Sequence, residues 1–239
     1  GLIMTPTTQY KTNSAILSAA SVYMRQVYLW MTAGLALTGV VAYGVASSPA
    51  ITSAIFGNSL ILIVLIIAQF GLVIALSAAI HKLSSPMATA LFLLYSAITG
   101  ITMSSIFIAY PVGKISTAFL VTSGTFLAMS VYGTVTKRDL TGMGNFMFMG
   151  LIGIIIAMIV NFFLHNAMMD YVISCLGVII FTGLTAYDTQ KLYQFGMAAP
   201  LDDSTAIRRG AIMGALTLYL DFINLFLMLL RIFGGSGRD

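Results

Sequence analysis

Seven runs of roughly twenty apolar residues dominate the 239-residue chain, at about 28–47, 60–80, 87–109, 115–134, 146–164, 171–190 and 211–232. A helix needs about 20 such residues to cross the hydrocarbon of a bilayer. Breaks between the runs carry helix-stopping residues: Ser48-Pro49, Ser84-Ser85-Pro86, Tyr110-Pro111, Lys137-Arg138-Asp139 and His165-Asn166, then a polar stretch at 191–210. The runs are apolar throughout and do not alternate, which excludes a β-barrel. Charged residues are 8% of the chain, where a soluble domain carries about 25% to face water. The expected fold is therefore an all-α bundle of seven transmembrane helices whose exterior is solvated by lipid. Its expected parts are a cytoplasmic N-terminal tail at 1–27, the bundle at 28–232 and a short C-terminal tail at 233–239.

Basic residues set the orientation. With the N-terminus inside, the inner loops hold Lys11, Arg25, Lys82, Lys137, Arg138, Lys191, Arg208 and Arg209, while Lys114, Arg231 and Arg238 lie outside. That asymmetry predicts a cytoplasmic N-terminus and an external C-terminus in a cell membrane. The basic residues stand singly or in pairs between apolar runs, so they read as topology signals facing anionic lipid and not as a nucleic-acid surface. The polar first ~25 residues lack an apolar core with a small-residue cleavage site, so no cleavable signal is expected among them. Cys175 is the single cysteine, inside an apolar run, which leaves no intrachain disulfide and no CxxC metal site.

An ionisable side chain inside a span is costly and calls for a reason. All seven acids are Asp, and two of them, Asp188 and Asp221, lie within apolar runs. Asp221 stands ten residues into the seventh run, roughly 15 Å from its start. The sixth and seventh spans are consecutive and antiparallel, so the two acids can meet if the helices are offset or tilted. A pair sharing one proton hydrogen-bonds and ties two helices together. Without that proton, two negative groups repel, or accept a hard cation such as Ca²⁺. The plainer alternative is an Asp that merely fastens helices.

Several polar residues could support such a pair. Asn224 lies i+3 from Asp221, Tyr187 and Tyr219 flank the two acids, and Lys82 at the inner end of the second span could reach a carboxylate as a latch. Snorkelling to the interface is the simpler role for Lys82. Gln69 and Asn161 read as interhelical hydrogen-bonding residues. Small residues at four-residue spacing, Gly34/Thr38, Gly100/Ser104 and Gly210/Gly214, suit close helix packing. No enzyme motif is present: HExxH, GxSxG, a Walker loop and a Cys/His cluster are all absent. Intramembrane aspartates suggest a presenilin-type protease, but Thr189 follows Asp188 where Gly is expected, and Asp221 lacks a Gly-x-Gly-Asp setting. The chain reads as no enzyme and needs no cofactor.

The stretch Leu184-Thr-Ala-Tyr-Asp-Thr-Gln-Lys-Leu192 and the stretch Gly214-Ala-Leu-Thr-Leu-Tyr-Leu-Asp-Phe-Ile-Asn-Leu-Phe226 resemble the signature of the Bax inhibitor-1 family. Thr136-Lys-Arg-Asp-Leu140 and Ile66-Ile-Ala-Gln-Phe-Gly-Leu-Val73 are similar to its bacterial inner-membrane branch. The resemblance implies a last helix wrapped by the other six, and a pH-sensitive calcium leak. It also implies a proton-sensing pair at Asp188 and Asp221 with a basic latch from the second span. Gln69 replaces the Glu of some members, and the inner end of that span holds His81-Lys82 without Arg. Some bacterial relatives modulate a membrane-bound protease, which makes a non-conducting regulator the alternative. A proton-coupled transporter is disfavoured, since no internal repeat is visible.

Overall fold

The computed structural model describes residues 6–199 and 204–235 and is nearly all helix. Eight α-helices follow in order: α1 (Pro6–Ala46), α2 (Pro49–Phe56), α3 (Ser59–Ala79), α4 (Ser85–Ala109), α5 (Val112–Val135), α6 (Thr141–Leu164), α7 (Ala167–Ala198) and α8 (Ser204–Gly235). A single 3-10 turn, Ile80–Lys82, ends α3. All except the eight-residue α2 are long and apolar enough to cross a membrane.

The residues flagged as breaks do stop helices, by identifiable chemistry. Ser48, Ser84 and Asn166 each cap the following helix by accepting a backbone N–H with their side chain, and Asn58, outside the flagged breaks, does the same for α3. His165 takes the left-handed conformation at φ 51°, and Asn161 Oδ1 accepts from Asn166 N across the same corner at 3.0 Å. Asn161 thus shapes a turn and does not bridge two spans. Gln69 does bridge: its Nε2 donates to Thr102 Oγ1 on α4.

Two expected boundaries move. Of the polar stretch 191–210, residues 191–198 and 204–210 are helical, because polarity alone breaks nothing. α7 runs on until Ala199, which is extended at ψ 143° because Pro200 follows it. Arg208 and Arg209 are in the first turns of α8, while Asp202 and Asp203 lie outside the described residues. The boundary at 27/28 falls inside α1, where Ala20, Tyr23, Met24 and Val27 are buried. Tyr23 Oη donates to the Gly210 carbonyl at 2.9 Å, tying this overhang to α8.

α8 is the most buried span, and two apolar clusters meet along it. Its packing partners are α1, α4, α5 and α7; α3 leans on α4 and α6 on α7. The helix is thus held mainly by four spans, with α3 and α6 as the least buried members of the bundle. Their outer faces carry bare aromatics, including Phe70 and Phe162 at 67% and 71% exposure, a surface only hydrocarbon can solvate.

The small-residue positions lie on contact faces. Gly34 sits against Phe92 and Ser96, and Gly100 against the backbone of Thr38. At that crossing Thr38 Oγ1 donates to the Ser96 carbonyl at 2.8 Å. Its single proton used, it accepts from Tyr219 Oη at 2.6 Å. Thr38→Val would remove the hydroxyl that Tyr219 Oη meets at 2.6 Å, leaving it Thr99 and Ser96 nearby, at an expected loss of about 0.5–1.5 kcal/mol. Thermal unfolding of the single variant, with Thr38→Val/Tyr219→Phe restoring part of the loss, checks this.

At the α5–α6 corner, Asp139 accepts from Thr141 Oγ1 at 2.6 Å and from Thr141 N at 3.0 Å. Those two hydrogen bonds, the side-chain one first, hold its exposed carboxyl below the usual carboxylate range. The stabilisation is present above the ordinary carboxylate pKa and is lost as pH falls through the depressed folded value. The Thr141 amide signal should therefore titrate below the range of a free Asp, and Asp139→Ala should abolish that titration.

Candidate functional site: a carboxyl pair in a mid-bundle chamber

The α7–α8 contact fixes where the intramembrane acids meet. Gly177 packs against Met228, Leu192 against Gly214 and Phe195 against Gly210. This antiparallel register sets Asp188 level with Thr217 and Asp221 level with Leu184, one helical turn apart. Side chains lean toward the N-terminus of their own helix. The two helices run oppositely, so the two carboxyls lean toward each other and close the gap. They lie within side-chain hydrogen-bonding reach, which makes a bond when one of them carries a proton. Asp221 is buried, and its Oδ2 has no partner among the described residues.

The pair faces a cavity of about 660 Å³ walled by α3, α4, α6, α7 and α8. Gln69, Tyr95, Asn145, Tyr187 and Asn224 bring the other polar groups to its lining. A second cavity, about 370 Å³, lies toward the end of the bundle where α7 turns into α8, lined by Tyr23, His81 and Arg209. Asp188, Lys191 and Thr217 line both. They form the partition between a mid-bundle chamber and a vestibule at the basic end.

The supporting residues divide. Tyr187 lines the chamber, its ring seated on Gly144. Asn224 also lines it, but its Nδ2 donates to the Leu220 carbonyl at 2.8 Å, so its own helix and not Asp221 orients the amide. Tyr219 belongs elsewhere: two residues from Asp221 is more than half a helical turn, which aims its ring at α1 and α4. Lys82 is exposed on the 3-10 turn and lines neither cavity. The cation whose field reaches Asp188 is Lys191, one turn along the same helix. Its i+3 spacing was the signal available in the sequence. Arg209 closes over the turn beside Lys82, donating from Nη1 to the His81 carbonyl at 2.6 Å.

Carboxylate and amide oxygens in the chamber lining are donors for a hard cation, while Met158 and Met228 bring thioether sulfur to the same wall. Among the described residues no cluster of three or more His, Cys, Asp or Glu exists.

A family model described as "Inhibitor of apoptosis-promoting Bax1" matches residues 20–238. The chain belongs to the Bax inhibitor family. The Escherichia coli "Inner membrane protein YbhL" is 57% identical over 212 residues, 89% of this chain and 91% of that one. A Borreliella burgdorferi protein is 50% identical over 218 residues, 91% and 93% of the two chains. A Streptococcus pyogenes membrane protein is 44% identical over 165 residues, 68% and 69% of the two. The match to the Bax inhibitor model begins inside the first span and takes in the other six and both Asp-centred stretches.

Proposed function

We propose that this Bax inhibitor family protein is a passive, pH-gated leak for Ca²⁺ or a similar hard cation, with Asp188 and Asp221 as the gate. The observation that carries the reading is that Asp188, on the partition between chamber and vestibule, stands within hydrogen-bonding reach of Asp221 in the chamber wall. One shared proton draws the carboxyls together and keeps the partition shut. Removing it sets two negative groups against each other and offers a cation two anionic ligands. Both effects act in one direction, so flux rises with pH. Lys191 neutralises part of this charge from the vestibule side.

The basic end of the bundle faces the cytoplasm in this reading. The excess of Lys and Arg there supports it. By likeness to the Escherichia coli relative, the membrane is the inner one. The test is Ca²⁺ entry into liposomes holding the purified protein, followed across pH. Entry no faster than in empty liposomes at every pH would sink the leak and leave a non-conducting regulator as the family role to pursue.

A further inference from the structure

α1 and α5 both pack on α8 but not on one another, and a groove opens between them. Its floor is aromatic: Phe119 and Phe126 stack edge-on against Phe222 of α8, with ring centroids 5.8 and 5.5 Å apart. A cavity of about 960 Å³ runs from Tyr28 and Val135 at the basic end past Gly39 and Phe119. A further 450 Å³ shares Gly39, Phe119 and Phe222 with it and continues to Ile115. From Ile115 to Val135 α5 rises about 30 Å, the full hydrocarbon thickness.

At Ser123, Thr134 and Thr38 the groove wall has no free O–H to donate to an occupant. Ser123 Oγ and Thr134 Oγ1 donate to their own helix at Phe119 and Ser130, and Thr38 is engaged with Ser96 and Tyr219. With Tyr28, Thr32, Ser116 and Ser130 as the other hydroxyls along an otherwise apolar wall, the groove favours an apolar occupant over a polar solute. A partner helix is about 10 Å across and, over 30 Å of length, occupies on the order of 2,400 Å³. It would lie on the groove without filling it. An alkyl chain, about 4 Å across by carbon contact distances, enters.

The basic mouth adds a charge. Arg25 lies one turn before Tyr28 on the groove face of α1, and Lys137 and Arg138 follow Val135. All three are exposed, and no salt bridge engages them among the described residues. Asp139 beside them is committed to Thr141. We infer that the α1–α5 groove is a binding site for an anionic diacyl phospholipid, its chains against Phe126 and Phe222 and its phosphate among Arg25, Lys137 and Arg138. This site stands apart from the aspartate chamber and does not depend on the leak.

Native mass spectrometry of the full chain in detergent, titrated with phosphatidylglycerol or phosphatidylcholine, tests it. Gly39 lies open to the groove, with nothing within 4 Å of an added Cβ, so Gly39→Trp plugs it without displacing a neighbour's backbone. Gly153, equally open but on α6, supplies the control variant Gly153→Trp. Wild type and Gly153→Trp should bind phosphatidylglycerol alike, with Gly39→Trp weaker by about tenfold or more. Joint replacement of Arg25, Lys137 and Arg138 by Gln should abolish the preference over phosphatidylcholine while keeping binding itself. Equal binding by Gly39→Trp and wild type would overturn the site. So would a dimer that Gly39→Trp converts to monomer, because a second copy would then own the groove.

Discussion

In liposomes, Asp188→Asn and Asp221→Asn should each hold Ca²⁺ flux at a low level that no longer follows pH. Asn keeps the size of Asp and a permanent N–H donor, so each variant imitates the pair with its shared proton in place. The wild-type flux should climb with pH by at most about tenfold per unit, the limit for loss of one proton. Both variants should be flat at the acid-side level. The bundle itself should survive, because the pair is a small part of the α7–α8 contact. Thermal unfolding near that of wild type would confirm that flux, not folding, was changed. If the two variants reproduced the wild-type profile, the carboxyls would not be the gate.

The largest loss of stability should come from Gly133→Ala. A Cβ at Gly133 would run into the Ala186 carbonyl oxygen, and the Ala186 Cα also lies only 3.2 Å away. A side chain can rotate out of such a clash; a helix backbone cannot. α5 and α7 would have to separate, and the expected cost is about 3 kcal/mol, the upper part of the range for overpacking. Gly124→Ala, on the same helix with nothing within 4 Å, should be neutral or slightly stabilising through helix propensity. Comparing the two by thermal unfolding isolates the contact from the residue change. Because Ala186 lies two residues from Asp188, the Gly133 variant should also shift the pH at which flux changes.

The spans were legible because hydrocarbon demands one thing of a helix, and the Pro, Ser and Asn stops at 49, 84 and 166 are local chemistry. The overhangs were not. Residues 20–27 and 191–198 are helical for tertiary reasons, through burial of Tyr23 and Val27 and the bond from Tyr23 to Gly210, which no window of hydropathy contains. The aspartates could be found as acids out of place. Their approach required the α7–α8 register, set by Gly177, Gly210 and Gly214 against particular side chains. Tyr219 misled because nearness along the chain differs from a shared helix face. Asn145 and Tyr95 reach the chamber from α6 and α4, a juxtaposition that only the folded bundle creates.

Two walls of that chamber, α3 and α6, are also the spans with the least to lose by moving. Each leans on one neighbour and shows most of its surface to lipid. Swinging either outward would exchange few protein contacts for lipid ones while α1, α4, α5, α7 and α8 stayed together. The route to a wider chamber therefore runs through its outer staves, and mechanical compliance is concentrated where the carboxyls look out.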